Sequence, residues 1–204
     1  KALRDVYAYH PFGYTLGGNP TVQFGATSGT HQANIAAEMY GVSPHNLQHV
    51  VDQLKATANQ QKTWFHPSQV AAALSNKKAF EIKDFSIITN KAGTQSTLKF
   101  TDSDKELTAK GDLVKAIIQA ANQFFGVDAE FVSLYDATIP TVTHHITDPA
   151  EITQSSIPIN SQNRDHIILK YNGREYAGSH QSANSAEVRP LAVIDAYNTL
   201  LKLK

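Results

Sequence analysis

Apolar positions in the first third of the chain recur with helical spacing. The clearest stripe follows Ser43-Pro44, which combines a preferred N-cap residue with proline at the first helical position. Its members are Leu47, Val50, Val51, Leu54 and Ala58. A shorter helix is predicted on each side of this one. The first is capped by Thr27 or Ser28 and ended by Gly41, and the other begins near Pro67 and buries Val70, Ala71 and Leu74.

From residue 79 the apolar positions alternate instead, which is typical of strands. Three strands are predicted, over 80–88, 96–101 and 106–110, with turns at 91–94 and 102–104. A helix follows, capped by Asp112 and ended by Gly126. Its apolar face comprises Val114, Ile117, Ile118, Ala121 and Phe125. The order of elements is therefore β-β-β-α.

The same order recurs in the rest of the chain. The pattern predicts a strand or bent strand pair over 130–143, a loop over 147–164, and strands over 166–171 and 174–178. Asn172-Gly173, between the last two strands, is the strongest two-residue hairpin signal. A polar loop over 179–185 leads to a terminal helix that Ser185 caps, with Pro190 near its first turn.

Together these elements predict an α+β fold, in which a helical linker subdomain precedes two β-β-β-α units packed around a pseudo-two-fold axis. We place an extended arm and the linker subdomain in residues 1–78, because the polar run 75–78 closes the helical part. A second domain, made of the repeats 79–126 and 127–204, follows.

Composition narrows the classes of function. The 204 residues include 18 Lys+Arg and 18 Asp+Glu, so the net charge is zero. Nucleic-acid-binding domains commonly carry a basic surplus, and we therefore expect no nucleic-acid partner. The sequence contains no Cys, which excludes a disulfide scaffold and fits the cytoplasm. No apolar run approaches the roughly 18 residues of a membrane span, so we expect no membrane partner.

The nine histidines raise the question of a metal site, and their spacing argues against one. His45 and His49 share a helix face opposite the apolar stripe, which is typical of a solvated face. His144 and His145 are adjacent and point to opposite sides of a strand. We predict no metal site in this chain. The sequence also lacks a serine nucleophile elbow, a Walker loop and a dinucleotide-binding glycine motif.

Two loops that lead into helices form the candidate ligand site. Gly111-Asp112 and the stretch 179–185 each precede a helix, whose first turn presents free N–H groups and a partial positive charge. If the two units pack about a common axis, both loops face a small anionic group such as a carboxylate. The alternative is that both are ordinary capped helix starts.

The chain resembles the C-terminal part of the 2-isopropylmalate synthase family, acetyl-CoA-dependent enzymes of leucine biosynthesis. Residues 24–31, FGATSGTH, resemble the G-K-H-S-G-R-H segment that follows the family's catalytic barrel. Lys62 and Pro67-Ser68-Gln69 resemble a K-K…T/S-x-x-D/E element. Residues 80–204 resemble the family's allosteric domain of two β-β-β-α units.

Two further matches fall on the helices of that domain. Gly111, Asp112, Val114 and Ala116 resemble the family's G-x-G-P-x-x-A motif, with Asp112 where proline is usual. The stretch 196–198, Ala-Tyr-Asn, resembles the family's terminal helix, whereas the neighbouring 189–191 departs from the usual A-S pattern.

The resemblance implies a regulatory and dimerisation region that binds leucine as a feedback inhibitor. Leucine is then expected between the two units, with its charged groups at the two loops and its isobutyl group against apolar residues. The implied effector residues are Ala109, Gly111, Asp112, Val114, Ala177, Ser179, Ala183 and Asn184. The implied partners are a second copy of the chain and leucine or a related branched-chain amino acid.

The resemblance also implies that this chain is the regulatory end of an acyltransferase whose barrel it lacks. We therefore expect no cofactor in the chain itself, a divalent metal in the absent barrel, and no activity of the chain alone. Residues 28–32 resemble a second family string, S-G-x-H-Q-D, with Ala33 in place of Asp. The histidine of that string assists catalysis in the partner subunit's site, which makes His31 a candidate catalytic residue.

Three alternatives remain open at this stage. Citramalate synthases share this type of domain, and isoleucine is then the effector. A double-stranded-RNA-binding module is a second alternative, because a helix, three strands and a helix follow one another over 67–125; the basic helix start that such a module needs is missing. A purely structural dimerisation module is the third.

Overall fold

The structure is a computed structural model that describes residues 26–61, 65–78, 82–90, 93–100, 106–111, 113–134 and 163–204. Its first helices are α1 (Ala26–Tyr40), α2 (Leu47–Gln61) and α3 (Pro67–Leu74). A first unit contains β1 (Ile82–Asn90), β2 (Gly93–Phe100), β3 (Glu106–Gly111) and α4 (Leu113–Phe125). A second contains β4 (Glu130–Leu134), β5 (Asn163–Tyr171), β6 (Arg174–Ser182) and α5 (Ser185–Leu203).

The fold is α+β, and the element order β-β-β-α occurs twice, as the hydrophobic pattern predicts. Each unit forms its own three-stranded antiparallel sheet, in the orders β1-β2-β3 and β4-β5-β6. The extended arm is predicted over 1–30, but residues 26–30 are helical and belong to α1. The rest of the arm, the turn 102–104, Asp112, residues 135–143 and most of the predicted loop 147–164 lie outside the described residues.

The structure corrects the predicted starts of the first two helices. α1 begins at Ala26, so Thr27 and Ser28 lie inside the helix and after its start. α2 begins at Leu47, three residues after Pro44, because Asn46 adopts a positive φ of 50° and its carbonyl accepts the first bond from Val50. The apolar stripe itself is confirmed: Val50, Val51 and Ala58 are buried.

The second hairpin is confirmed at its turn and longer than predicted in its return strand. Asn172 and Gly173 have φ values of 49° and 76°, the two positive values that a type I′ turn requires. β6 continues to Ser182, so most of the predicted loop 179–185 is strand. β5 pairs with it along its whole length, from Asn163 with Ser182 to Tyr171 with Arg174.

The terminal helix also differs from its predicted start. Asn184 is the N-cap, since its side chain accepts a bond from the Ala186 N–H, and Ser185 is the first helical residue. Pro190 lies in the second turn, where it lacks an N–H for the carbonyl of Ala186. Pro190 is fully buried, and its packing in the core offsets the missing bond.

Two clusters of buried side chains hold the described part of the chain together. The smaller lies among α1, α2 and α3 and includes Ala33, Val51 and Leu74. The larger lies between the sheets and the helices α4 and α5, and it also includes Tyr40 of α1 and Ala71 of α3. The linker helices thus share a core with the second unit.

Candidate functional site

The first group of predicted effector residues surrounds the junction of β3 and α4. Ala109 is buried, Val114 is half-buried and Gly111 is exposed. Gly111 has a φ of 148°, which side chains other than glycine rarely adopt, and this conformation turns the chain from strand to helix. Asp112, the predicted cap and ligand residue, lies outside the described residues.

The second group lies along β6 and at the start of α5. Ala177 is fully buried and Ser179 half-buried, both on the strand, whereas Ala183 and Asn184 are exposed between strand and helix. Asn184 accepts the Ala186 N–H at 3.1 Å, so this helix start is already capped by its own side chain. A ligand carboxylate at this end of α5 competes with that cap.

Contacts of the Tyr197 hydroxyl join α5 of the second unit to α4 of the first. The Tyr197 hydroxyl shares its one proton between the Ile118 carbonyl oxygen at 3.1 Å and Asn122 Oδ1 at 2.7 Å. The Phe125 ring stacks on that of Tyr197 at 5.8 Å. Because burial raises the pKa of Tyr197, the phenol stays a neutral donor. The middle and end of α4 therefore hold α5, while Gly111 and Val114 lie toward the other end of α4.

Close packing of α5 on its own sheet fixes the second group. A Cβ added to Gly178 would lie 2.0 Å from the Ala196 nitrogen and 2.4 Å from the Ala192 carbonyl oxygen. Only a glycine lets the helix backbone approach the strand this closely. Ala177 and Ser179, which flank Gly178, are therefore held at fixed depth against α5.

The outer edge of β6 is covered by side chains from three helices. The Ala177 N–H donates to Ser68 Oγ at 2.9 Å, and the Ser179 N–H donates to Asp195 Oδ2 at 2.9 Å. The Tyr40 hydroxyl donates to the Glu175 carbonyl. These side chains satisfy strand groups that would otherwise remain open at a sheet edge.

Sequence reasoning missed the linker side of this contact. Tyr40, His66, Ser68 and Gln69 carry it, and only the helix-start signal at His66-Pro67, with Gln69 three residues after His66, was readable. That signal predicts a cap and gives no partner. The partners are 109 residues away for Ser68 and 110 for Gln69, so local pattern cannot identify them.

Ser68, His66 and Glu175 also form a chain of contacts that resembles a nucleophile, base and acid. Ser68 Oγ lies 2.8 Å from His66 Nδ1, and His66 Nε2 lies 3.7 Å from Glu175 Oε2. Ser68 is fully buried and its Oγ already accepts the Ala177 N–H. A substrate carbonyl cannot reach it, so the arrangement is a helix cap that contacts the sheet and has no nucleophilic role.

The pKa values of two carboxyl groups at this edge are shifted in opposite directions. Burial raises the pKa of Asp195, against the lowering effect of the Ser179 N–H bond. The neighbouring His66 ring, whose Nε2 lies 3.7 Å from Glu175 Oε2, lowers the pKa of Glu175. Burial also raises the pKa of the Tyr40 phenol, which remains a neutral donor.

The remaining candidates lie away from this edge. His31 lies on the exposed face of α1. His45 is exposed before α2, and His49 is exposed in its first turn. Within the described ranges, no three His, Cys, Asp or Glu side chains are grouped so as to hold a metal ion. No helix in the same ranges has the length and apolar character needed to cross a membrane.

A cavity of about 400 Å³ opens between the α1–α2 connection and the end of α5. Lys77, Lys202 and Lys204 are among its lining residues. α1, α3 and α5 all end beside it, and the partial negative charge of helix C-termini favours nearby lysines. Lys77 Nζ also donates to the Lys204 carbonyl at 2.8 Å. The lysines thus complement the helix ends.

Comparison with known sequences finds that this α+β chain is similar to part of a synthase. No protein-family model matches the chain. The chain is 24% identical over 196 residues to the 2-isopropylmalate synthase of Erwinia tasmaniensis. The match covers 90% of this chain and 34% of that enzyme, so the chain spans about one third of the length of this relative.

Proposed function

We propose that this chain is the regulatory and dimerisation region of a 2-isopropylmalate synthase, binding leucine as a feedback inhibitor. The parent enzyme condenses acetyl-CoA with 2-oxoisovalerate in the cytoplasm, with a divalent metal in a barrel that this chain does not contain. The observation that carries the proposal is the similarity to such a synthase over 90% of the chain but 34% of the relative.

The duplicated β-β-β-α order supports an effector domain built from two related halves. Gly111 precedes α4, and Ala183 and Asn184 precede α5, so each half offers a helix start. Helix starts favour a carboxylate through their N–H groups, and the apolar Ala109 and Val114 suit an isobutyl group. In this proposal the charged groups of leucine, its carboxylate and its ammonium, meet backbone groups at Gly111-Asp112 and along 179–185.

Calorimetric titration of the full chain with leucine, isoleucine and valine tests the effector. We expect heat from leucine at millimolar concentration or below, with weaker responses from the other two. A preference for isoleucine would identify a citramalate synthase region instead. No heat and no thermal shift from any of the three would remove the effector claim.

Dimerisation is tested separately by light scattering, where we expect the mass of two chains. A monodisperse monomer of 22.3 kDa would contradict this half of the proposal. His31, exposed on α1, is tested in the whole enzyme: replacing it with Ala should lower kcat only if it reaches the partner subunit's barrel.

A further inference from the structure

β6 is the edge strand of its sheet as far as the described strands go, and its outer side faces the linker helices. In the order β4-β5-β6 of these strands it pairs with β5 on its other side. Backbone groups of alternate residues point to opposite sides of an antiparallel strand, and those of 175, 177 and 179 point away from β5. Two of these three positions, Glu175 and Ala177, are bonded to side chains of the linker, Tyr40 and Ser68.

The linker side chains that reach β6 are the same ones that begin α3. Ser68 bonds to the His66 ring at 2.8 Å, which caps the helix. Gln69 accepts the His66 N–H at 2.9 Å and donates through its amide to Ser179 Oγ at 3.1 Å. A shift of β6 by more than about 0.5 Å takes these bonds out of the hydrogen-bonding range. The strand therefore cannot move without either losing these bonds or moving the first turn of α3.

We propose that this contact transmits the effect of a ligand bound at β6 to the linker helices. We call it the β6–α3 joint, formed by Tyr40, Ser68 and Gln69 with residues 175–179. The assignment of the ligand as leucine rests on the proposed function. Ala177 and Ser179 are both candidate effector residues and members of the joint, so a ligand that repositions them acts directly on α3. If β6 has two alternative positions and the ligand binds one more tightly, the ligand favours that position. The equilibrium between the matching positions of the linker then shifts by the same free-energy difference.

Amide hydrogen exchange of the full chain tests the joint without any ligand. In Ser68→Ala the Ala177 amide loses its acceptor, and we expect its exchange and that of α3 to rise together by about tenfold. The matched control is Ser43→Ala, an exposed serine on the same linker, which should change neither. If Ser68→Ala does not fold, Tyr40→Phe removes the hydroxyl that bonds to the Glu175 carbonyl and should raise exchange in β6 and the end of α1. Acceleration of α3 alone, or of β6 alone, would overturn the joint.

A second arm adds leucine at millimolar concentration. In the unmodified chain we expect exchange to change in β6 and in α3, and in Ser68→Ala in β6 only. If leucine gives heat but α3 exchange stays constant in the unmodified chain, the joint is wrong and the proposed function stands. If leucine gives no heat, the proposed function fails, and the ligand-free arm alone decides whether the joint exists.

Discussion

The Tyr197 hydroxyl in α5 donates a hydrogen bond of 2.7 Å to the carboxamide of Asn122 in α4. Asn122 also bonds to both backbone groups of Ala129, with distances of 2.9 and 3.1 Å. One carboxamide thus connects the helix of the first unit, the chain leading into β4, and the helix of the second unit. The two units are tied at this point by polar contacts as well as by apolar packing.

Tyr197→Phe should lower the free energy of unfolding by about 1 kcal/mol, the net contribution of a buried hydrogen bond. The ring keeps its stacking on Phe125, so packing is unchanged. Urea unfolding measures the difference, with Tyr171→Phe on β5 as the control for removing a phenol hydroxyl. Equal stability of Tyr197→Phe and the control would show that the bonds to Asn122 and Ile118 contribute nothing.

Gly178→Ala should destabilise the fold by at least about 3 kcal/mol, because the added methyl group would overlap the backbone of α5. Backbone atoms cannot yield as a flexible side chain does. Thermal unfolding and circular dichroism check this result. Gly126→Ala provides the contrast, since nothing lies within 4 Å of a Cβ there and only its positive φ of 62° is strained. A Gly178→Ala protein as stable as Gly126→Ala would contradict the close packing.

Asp195→Asn should make stability less dependent on pH above about 4. Burial raises the pKa of the Asp195 carboxyl, so its contribution to folding is fully present below the unfolded value of 3.8 and is lost as pH rises through the folded value. Asparagine keeps an oxygen for the Ser179 N–H and carries no charge. We expect the variant to equal the parent at pH 3.5 and to match or exceed it at pH 7.

Thermal melts from pH 3.5 to 7 measure this difference. A variant that loses stability relative to the parent as pH rises would show that the charged form of Asp195 is the one the fold favours.

Gly111→Ala should weaken leucine binding, while Gly173→Ala should not. Both positions have positive φ, 148° and 76°, so both substitutions carry a similar backbone strain of about 1–3 kcal/mol. Only Gly111 lies at the candidate effector site, where its conformation directs the start of α4. Calorimetry of the two variants at equal folded fraction compares them. Equal affinities would place the effector away from α4.

Local signals in the sequence were sufficient for the elements and their order. The alternation around β1–β3 and the Asn172-Gly173 turn predict strands and a hairpin because these properties depend on adjacent residues. The errors lie where a longer-range contact outweighs local preference. Ser179 and Gln181 look like loop residues, yet they continue β6 because β5 pairs with them through His166 and Arg164.

In the candidate site, too, residues with a local signal were predictable and residues whose role depends on distant contacts were not. Gly111 and Asn184 were identifiable as residues beside a helix start, which has a local signature, although the predicted cap of the terminal helix was Ser185. Ser68 was not, since its role depends on the edge of β6, which lies 109 residues later. Asp195 is one of two acidic residues on α5, with Glu187, and its bond to Ser179 is visible only in three dimensions.

The shared core of the linker and the second unit also determines how the protein would respond to a protease. Lys77 and Lys78 are exposed, next to the polar stretch between α3 and β1, and trypsin can cleave after either. Tyr40 and Ser68 would still hold the helices against β6 after such a cut. A nicked protein should therefore migrate as two fragments under denaturing conditions and as one particle under native ones. The covalent connection at this point is therefore not what holds the helices on the second unit. The side-chain contacts with β6 hold them there.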